Sequence, residues 1–108
     1  MFIINGEQWR ILFVEPTHPS LLKPNGEFAI GACDDYSKTI YLNNTLKGSY
    51  LKRVLCHEIT HAAMFSYNVS MSLPQEELVA ELMAIFGDEI IKITNILFSY
   101  LIKRKGRL

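Results

Sequence analysis

The pattern of apolar residues changes near residue 49, and this change restricts the chain to few architectures. Before it, short apolar runs alternate with turn residues, as in FII and WRILFV on either side of Asn5-Gly6. Asn-Gly supplies the positive φ angles of a type I′ turn, so this segment predicts a β-hairpin. After residue 49, apolar residues recur at three- and four-residue spacing, which is typical of helices. Strands followed by helices predict an α+β domain, with helices on one side of a small antiparallel or mixed sheet.

A second hairpin is predicted before the helical part. The runs FAIGAC (28–33) and TIYLN (39–43) lie on either side of the turn-forming segment 34–38. Segment 15–27 contains three of the four prolines and is therefore expected to be a loop.

Two helices are expected in the rest of the chain. Ser49 can cap a first helix over about 50–67, and Ser72 can open a second with Gln75 as the partner in a capping box. The first helix has one apolar stripe, formed by Leu51, Leu55, Ile59 and Ala62.

The second helix is expected to break or bend at Gly87. Beyond it, the run from Ile90 to Ile102 keeps helical spacing, which predicts a helix buried in the core. Lys92 interrupts this run, and the run is shorter than the roughly 20 residues that cross a bilayer, so no membrane span is expected. The basic residues from Lys103 to Arg107 suit the C-terminus of a helix.

The composition fits one globular domain over residues 1–108. A chain of 108 residues leaves no room for two cores, and its formal net charge of +0 indicates neither a nucleic acid nor a membrane as partner. The chain does not open with a basic region followed by an apolar core, so no secretory signal is expected. Two cysteines, Cys33 and Cys56, are too few for a disulfide framework, and we expect a cytoplasmic protein.

The motif HEITH at 57–61 lies inside the first predicted helix. A helix turns about 100° per residue, so His57 and His61 project about 40° apart and can reach one metal ion. Glu58 projects about 100° from His57, where it can reach a water on that ion and act as a general base. This division of roles is that of the HExxH pattern. Cys56 lies about 100° round on the opposite side and is expected to face away.

A third protein ligand is needed, because a catalytic zinc ion normally has three and keeps a fourth position for water. Glu77 and Glu81 lie one turn apart on the next helix and share a face, whereas Glu76 points about 100° aside. One of the pair can bind the metal while the other holds a ligand histidine from behind.

Weaker candidates lie elsewhere. His18 is in the proline-containing loop and is more typical of a solvated residue than of a site residue. Tyr36, Tyr41 and Tyr67 could each donate to a developing oxyanion, but nothing in the sequence selects one of them.

Three segments together resemble the small ImmA/IrrE-like metallopeptidases, which are minimal gluzincin-type zinc proteins of bacteria, phages and mobile elements. These segments are IYLN (40–43), VLCHEITHA (54–62) and ELVAE (77–81), and the similarity spans roughly residues 28–87. The resemblance implies a minimal zincin-like domain.

In that family, the two histidines of HExxH and a glutamate of an E-x-x-A pattern bind one zinc ion. The resemblance therefore implies that His57, His61 and Glu77 bind Zn²⁺ and that Glu58 is the general base. Glu81 is then the carboxylate that holds a ligand histidine.

The resemblance implies a zinc-dependent endopeptidase whose substrate is a protein or peptide, such as a repressor protein of a phage or mobile element. Strand 39–43, if it forms the sheet edge, could hold the substrate as an added strand. One alternative is a non-catalytic zinc-binding regulatory or interaction protein that retains the site. Another is a metal-free helix with two surface histidines.

Overall fold

A computed structural model of the chain describes residues 1–105, so Arg107 of the basic C-terminal segment lies outside the described residues. Over residues 1–105 the strands are β1 (Phe2–Ile4), β2 (Glu7–Val14), β3 (Gly31–Asp34) and β4 (Thr39–Asn43). The helices in the same range are a 3-10 turn at Pro19–Leu21 and the α-helices α1 (Gly48–Ser66) and α2 (Leu73–Lys105). The predicted α+β class, with an N-terminal sheet and C-terminal helices, is confirmed.

Both predicted hairpins form. Asn5 and Gly6 have φ angles of 49° and 78°, as a type I′ turn requires, and Ile4 pairs with Glu7 across it. The second hairpin joins β3 to β4, which are antiparallel and pair from Asp34 with Thr39.

The strands pair in the order β1-β2-β4-β3. β4 is parallel to β2, with Arg10 opposite Thr39, and the other pairings are antiparallel, so the sheet is mixed. A parallel pair needs a long crossover, which segment 15–38 supplies. β4 is therefore a central strand, and the expectation that it forms the sheet edge is wrong. The strand at that edge is β3.

The core lies between the sheet and α1. Trp9 and Ile40 of the sheet are almost fully buried, and the predicted stripe of α1 packs into the same cluster through Ala62 and its neighbours. The indole N–H of Trp9 donates to the hydroxyl of Ser66 over 2.8 Å, which ties β2 to the end of α1. α2 packs mainly on α1 and not on the sheet.

The two helix starts differ from each other. α1 is preceded by Lys47 as its N-cap with no side-chain capping bond, and Ser49 lies within the first turn, so the predicted Ser49 cap is wrong. The predicted capping box at α2 is confirmed. The backbone N–H of Ser72 donates to the Gln75 side chain over 3.1 Å, and the Gln75 N–H donates to the Ser72 hydroxyl over 3.3 Å.

α2 continues through Gly87, so no break occurs at this residue. Glycine lowers helix propensity by about 1 kcal/mol but does not forbid a helix, and here Gly87 is buried within the helix. No helix within residues 1–105 is both long and apolar enough to cross a membrane.

The segment after Gly87 is helical but not buried, which corrects the prediction of a core helix over 90–102. Its large apolar side chains remain mostly accessible, with Ile96 68% exposed. The reason is the length of the two helices: α2 has 33 residues and α1 has 19. An ion pair of 3.4 Å between Lys52 and Asp88 shows that the first turns of α1 lie beside residue 88, so the remainder of α2 extends past α1.

Candidate metal centre

His57 and His61 lie on the face of α1 that is turned towards α2. Their ring centroids are 5.0 Å apart, and their Nε2 atoms are separated by 3.3 Å. This proximity follows from the four-residue spacing on a regular helix. The two nitrogen lone pairs that a metal would use therefore lie next to each other.

Glu77, in the first turns of α2, completes a group of three. Its carboxylate oxygens lie 2.8 Å from Nε2 of His61 and 3.4 Å from Nε2 of His57. One ligand atom from each of these residues lies within 4.8 Å of the others, so the group could hold a metal ion. The structure thus brings together the three residues that were predicted as ligands.

Glu81 lies behind this group. One of its oxygens is 3.2 Å from Nδ1 of His57, on the side of the ring away from Glu77. Its other oxygen pairs with Arg53 of α1, and this hydrogen bond lowers the pKa of Glu81. Glu81 is not one of the three clustered residues, and it lies where a carboxylate could orient His57, which is the place that the resemblance implies for it.

Glu76 belongs to the same arrangement, which sequence reasoning missed. Its Oε1 lies 2.7 Å from Nδ1 of His61, and its side chain is only 15% exposed. The prediction placed Glu76 off the site because its direction was judged relative to the helix face that Glu77 and Glu81 share. The signal that could have found it is the row of small residues Ala80, Ala84 and Gly87, which marks the face of α2 that packs on α1 and includes Glu76.

The two outer carboxylates are partners for the Nδ1 atoms of the histidines. A carboxylate accepts hydrogen bonds, so Glu76 and Glu81 favour a proton on Nδ1 of His61 and of His57. In that tautomer the Nε2 atoms could bind an ion together with Glu77. This is the donor set of two imidazoles and one carboxylate that catalytic zinc sites use.

Glu58 lies beside the centre and is only 7% exposed. Burial raises the pKa of its carboxyl to about 7, although nearby His57 lowers it and Glu77 raises it further. Close packing by β3 contributes to the burial. A Cβ atom added to Gly31 would lie 3.2 Å from Oε2 of Glu58 and 2.9 Å from Cγ1 of Val54, so only glycine lets β3 approach this closely.

The centre opens into a cleft of about 880 Å³ between the two helices and the segment that leads into β3. Tyr50 lines this cleft and is about half exposed, a position that sequence reasoning missed. Tyr50, Arg53, His57 and His61 follow one another at three- and four-residue spacing. The helical face of the motif could therefore have identified Tyr50 and Arg53 as cleft residues.

The three tyrosines considered from the sequence lie outside the cleft. Tyr36 is 98% exposed at the tip of the second hairpin, and Tyr67 is exposed at the end of α1. Tyr41 stacks on His18, whose Nδ1 accepts a hydrogen bond from the backbone of Ser20. His18 therefore organises its own loop.

The cysteines are not among the three clustered ligands. The thiol of Cys56 lies 3.5 Å from the carbonyl oxygen of Met83 of α2, and Cys56 lines a separate apolar groove and not the cleft of the centre. Cys33 lines the cleft, but burial raises the pKa of its thiol, and so does the nearby carboxyl of Glu58. It is therefore held as a neutral thiol, which is a poor metal ligand.

Comparison of the chain with models of protein families, with curated proteins and with solved structures found no match in any of the three.

Proposed function

We propose that the protein is a zinc-dependent endopeptidase. The observation that carries the proposal is the convergence of His57, His61 and Glu77, each histidine being oriented by its own carboxylate, beside the buried Glu58. Zinc is favoured over calcium or magnesium because two of the three donors are imidazole nitrogens. A set of three protein donors also leaves a coordination position free, which is typical of a catalytic rather than a structural zinc site.

When bound, zinc would act as a Lewis acid that polarises a carbonyl and lowers the pKa of water to about 7. Glu58 would accept a proton from the attacking water and return it to the leaving amine. Burial, which raises the pKa of its carboxyl, supports this role because it makes the carboxylate a stronger base.

The substrate would lie along β3. This strand forms the edge of the sheet, and Gly31, Ala32 and Cys33 line the cleft. An extended peptide can add to such an edge through backbone hydrogen bonds, which are largely independent of its side chains. β3 takes the place that the sequence had assigned to β4. Tyr50 lines the cleft and would then be the tyrosine that donates to a developing oxyanion.

The resemblance to ImmA/IrrE-like metallopeptidases extends the proposal to a regulatory protein as substrate, such as a repressor of a phage or mobile element. The proposal that the protein works in the cytoplasm rests instead on its two cysteines, Cys33 and Cys56, which are both free thiols.

The test combines zinc content with peptide cleavage. We expect purified wild-type protein to bind one zinc ion per chain by elemental analysis and to cleave an unstructured peptide library, with products identified by mass spectrometry. Glu58→Gln should keep the zinc and lose activity by about 10²–10⁴-fold, the usual contribution of a general base. The control is Glu15→Gln, the same change at an exposed residue of the loop after β2, which should remain fully active.

Each part of the proposal has its own contrary result. Full activity in Glu58→Gln would refute the mechanism. Protein that binds zinc but never cleaves would instead indicate the non-catalytic regulatory alternative, in which Glu58→Gln leaves the biological effect intact. If the protein takes up no zinc, HEITH is part of a metal-free helix with two histidines, as in the second alternative.

A further inference from the structure

The part of α2 beyond α1, residues 89–104, is called the projecting segment here. It presents a regular seam of large apolar side chains. Ile90, Ile93, Leu97 and Tyr100 alternate at spacings of three and four residues, and they are 49–57% exposed. This is the spacing of helices that pack against another helix along their length. No other element within residues 1–105 covers the seam, since α1 ends its contact with α2 near Asp88. Within the helix itself, the guanidinium of Arg104 lies over the ring of Tyr100.

Several polar residues of the segment lie away from the seam. Lys92, Asn95 and Ser99 follow at spacings of three and four on the side opposite the seam, whereas Thr94 flanks the seam and Arg104 lies at its end. Ile96 and Leu101 flank the seam and are also exposed, at 68% and 42%. An amphipathic helix with an apolar face this broad is normally covered by another helix.

The charges beside the seam indicate the partner. Glu89 lies next to the seam near its start, and Lys103 lies next to it near its end, both on the side of Ile96. In an antiparallel pair of identical helices related by a twofold axis, the residues that flank the seam on this side face the residues that flank it on the same side of the other copy. Glu89 of one copy then lies opposite Lys103 of the other, twice per pair.

We propose that the projecting segment pairs with the projecting segment of a second copy of this chain, antiparallel, to form a symmetric dimer. In this register Ile90 packs against Tyr100 of the partner, Ile93 packs against Leu97 of the partner, and the two Ile96 side chains meet at the axis. The apolar layers and the ion pairs require the same register. A parallel pair would place Glu89 opposite Thr94 and would leave it without a cation.

The surface is large enough for such a dimer. Six large apolar residues lie on or beside the seam and are on average about half exposed. Together the two copies would bury on the order of 1,000 Å², which is near the lower limit for a specific interface. The seam also continues towards the body, because Met83 lines an apolar groove of about 490 Å³ with Leu55 and Ile59 of α1. The partner's Arg104 would lie beside Phe86, at the mouth of this groove.

Sedimentation equilibrium on the full chain tests the proposal. We expect wild type to populate a dimer in the micromolar range. Leu97→Asp, which places a charge in the central layer, should weaken dimerisation at least tenfold. The matched control is Asn95→Asp, which introduces the same charge two residues away on the side opposite the seam and should leave the dimer intact. Circular dichroism checks that both variants fold.

Charge reversal tests the antiparallel register. Glu89→Lys and Lys103→Glu should each weaken the dimer several-fold, because each places like charges opposite one another. The double variant should recover the wild-type dissociation constant. These exposed residues lie far from the core, so the variants keep the proposal testable even if Leu97→Asp fails to fold. Loss of dimer in the double variant as well would overturn the register.

Two further results would overturn the dimer itself. One is wild-type protein that stays monomeric up to 200 μM, a concentration chosen well above the micromolar range. The other is monomeric protein that cosediments with vesicles of phosphatidylcholine and phosphatidylglycerol through this segment, because the occupant of the seam would then be a lipid surface. Dimerisation that Leu97→Asp leaves unchanged would place the interface elsewhere on the molecule.

Discussion

The two halves of α2 follow the same helical periodicity but have different surroundings. Over Leu73–Asp88 the helix packs on α1 through small residues, with Ala80 fully buried. Over residues 89–104 the helix faces no other part of the described chain, and its large apolar residues stay about half exposed. Periodicity therefore identifies which face of a helix is apolar, but not what covers that face.

Residue size accounts for the difference between the two halves of α2. In the first half, Ala80, Ala84 and Gly87 let α2 approach α1 closely enough for short carboxylate side chains to reach the histidines. In the second half, isoleucine, leucine and aromatic residues offer area and no ligand. On the face turned towards α1 the first half thus brings the carboxylates to the histidines. Its outer face, with Leu78 60% and Phe86 48% exposed, is an apolar surface like that of the second half.

The largest expected effect concerns the metal centre. His61→Ala should weaken zinc binding by more than about 100-fold, because losing a ligand costs more than losing an outer carboxylate. His18→Ala is the matched control, since His18 lies in a loop outside the centre, and it should bind zinc like wild type. Titration calorimetry measures both. Equal affinity in His61→Ala would exclude the proposed ligand set.

The next prediction makes the same substitution, glutamate to glutamine, in each half of α2 and compares the effects on zinc affinity. Glu76→Gln should weaken zinc binding by about 10–100-fold, because the amide orients His61 less firmly than the carboxylate does. Glu89→Gln is the same substitution in the projecting segment, and we expect no change in zinc affinity. If both variants bind zinc equally well, Glu76 does not support the centre.

The smallest effect concerns stability. Ala80→Leu overpacks the buried contact between α1 and α2 and should lower the free energy of unfolding by at least about 1 kcal/mol. Leu97→Ala, measured by urea denaturation at a concentration that keeps the chain monomeric, should change it by less than about 0.5 kcal/mol. A large loss in Leu97→Ala would mean that the projecting segment is buried in the monomer.

Local signals in the sequence predicted the local features well. The Asn5-Gly6 turn and the Ser72–Gln75 capping box form as expected, because each depends on residues a few positions apart. The same holds for the proximity of His57 and His61, which helical geometry alone imposes.

Features that depend on distant packing were not predictable in this way. The central position of β4 results from its pairing with β2 across a long loop, and no residue of β4 encodes it. The contact of Glu76 depends on how α2 is rotated against α1, which the spacing of glutamates cannot give. The exposure of residues 90–102 depends on where α1 begins, and their own pattern does not contain that information.

The continuity of α2 through Gly87 has a mechanical consequence. Glu77 and the projecting segment belong to one helix, which contacts α1 around Ala80. A second copy bound to the projecting segment would therefore be joined to the metal centre by continuous helix and not by a loop.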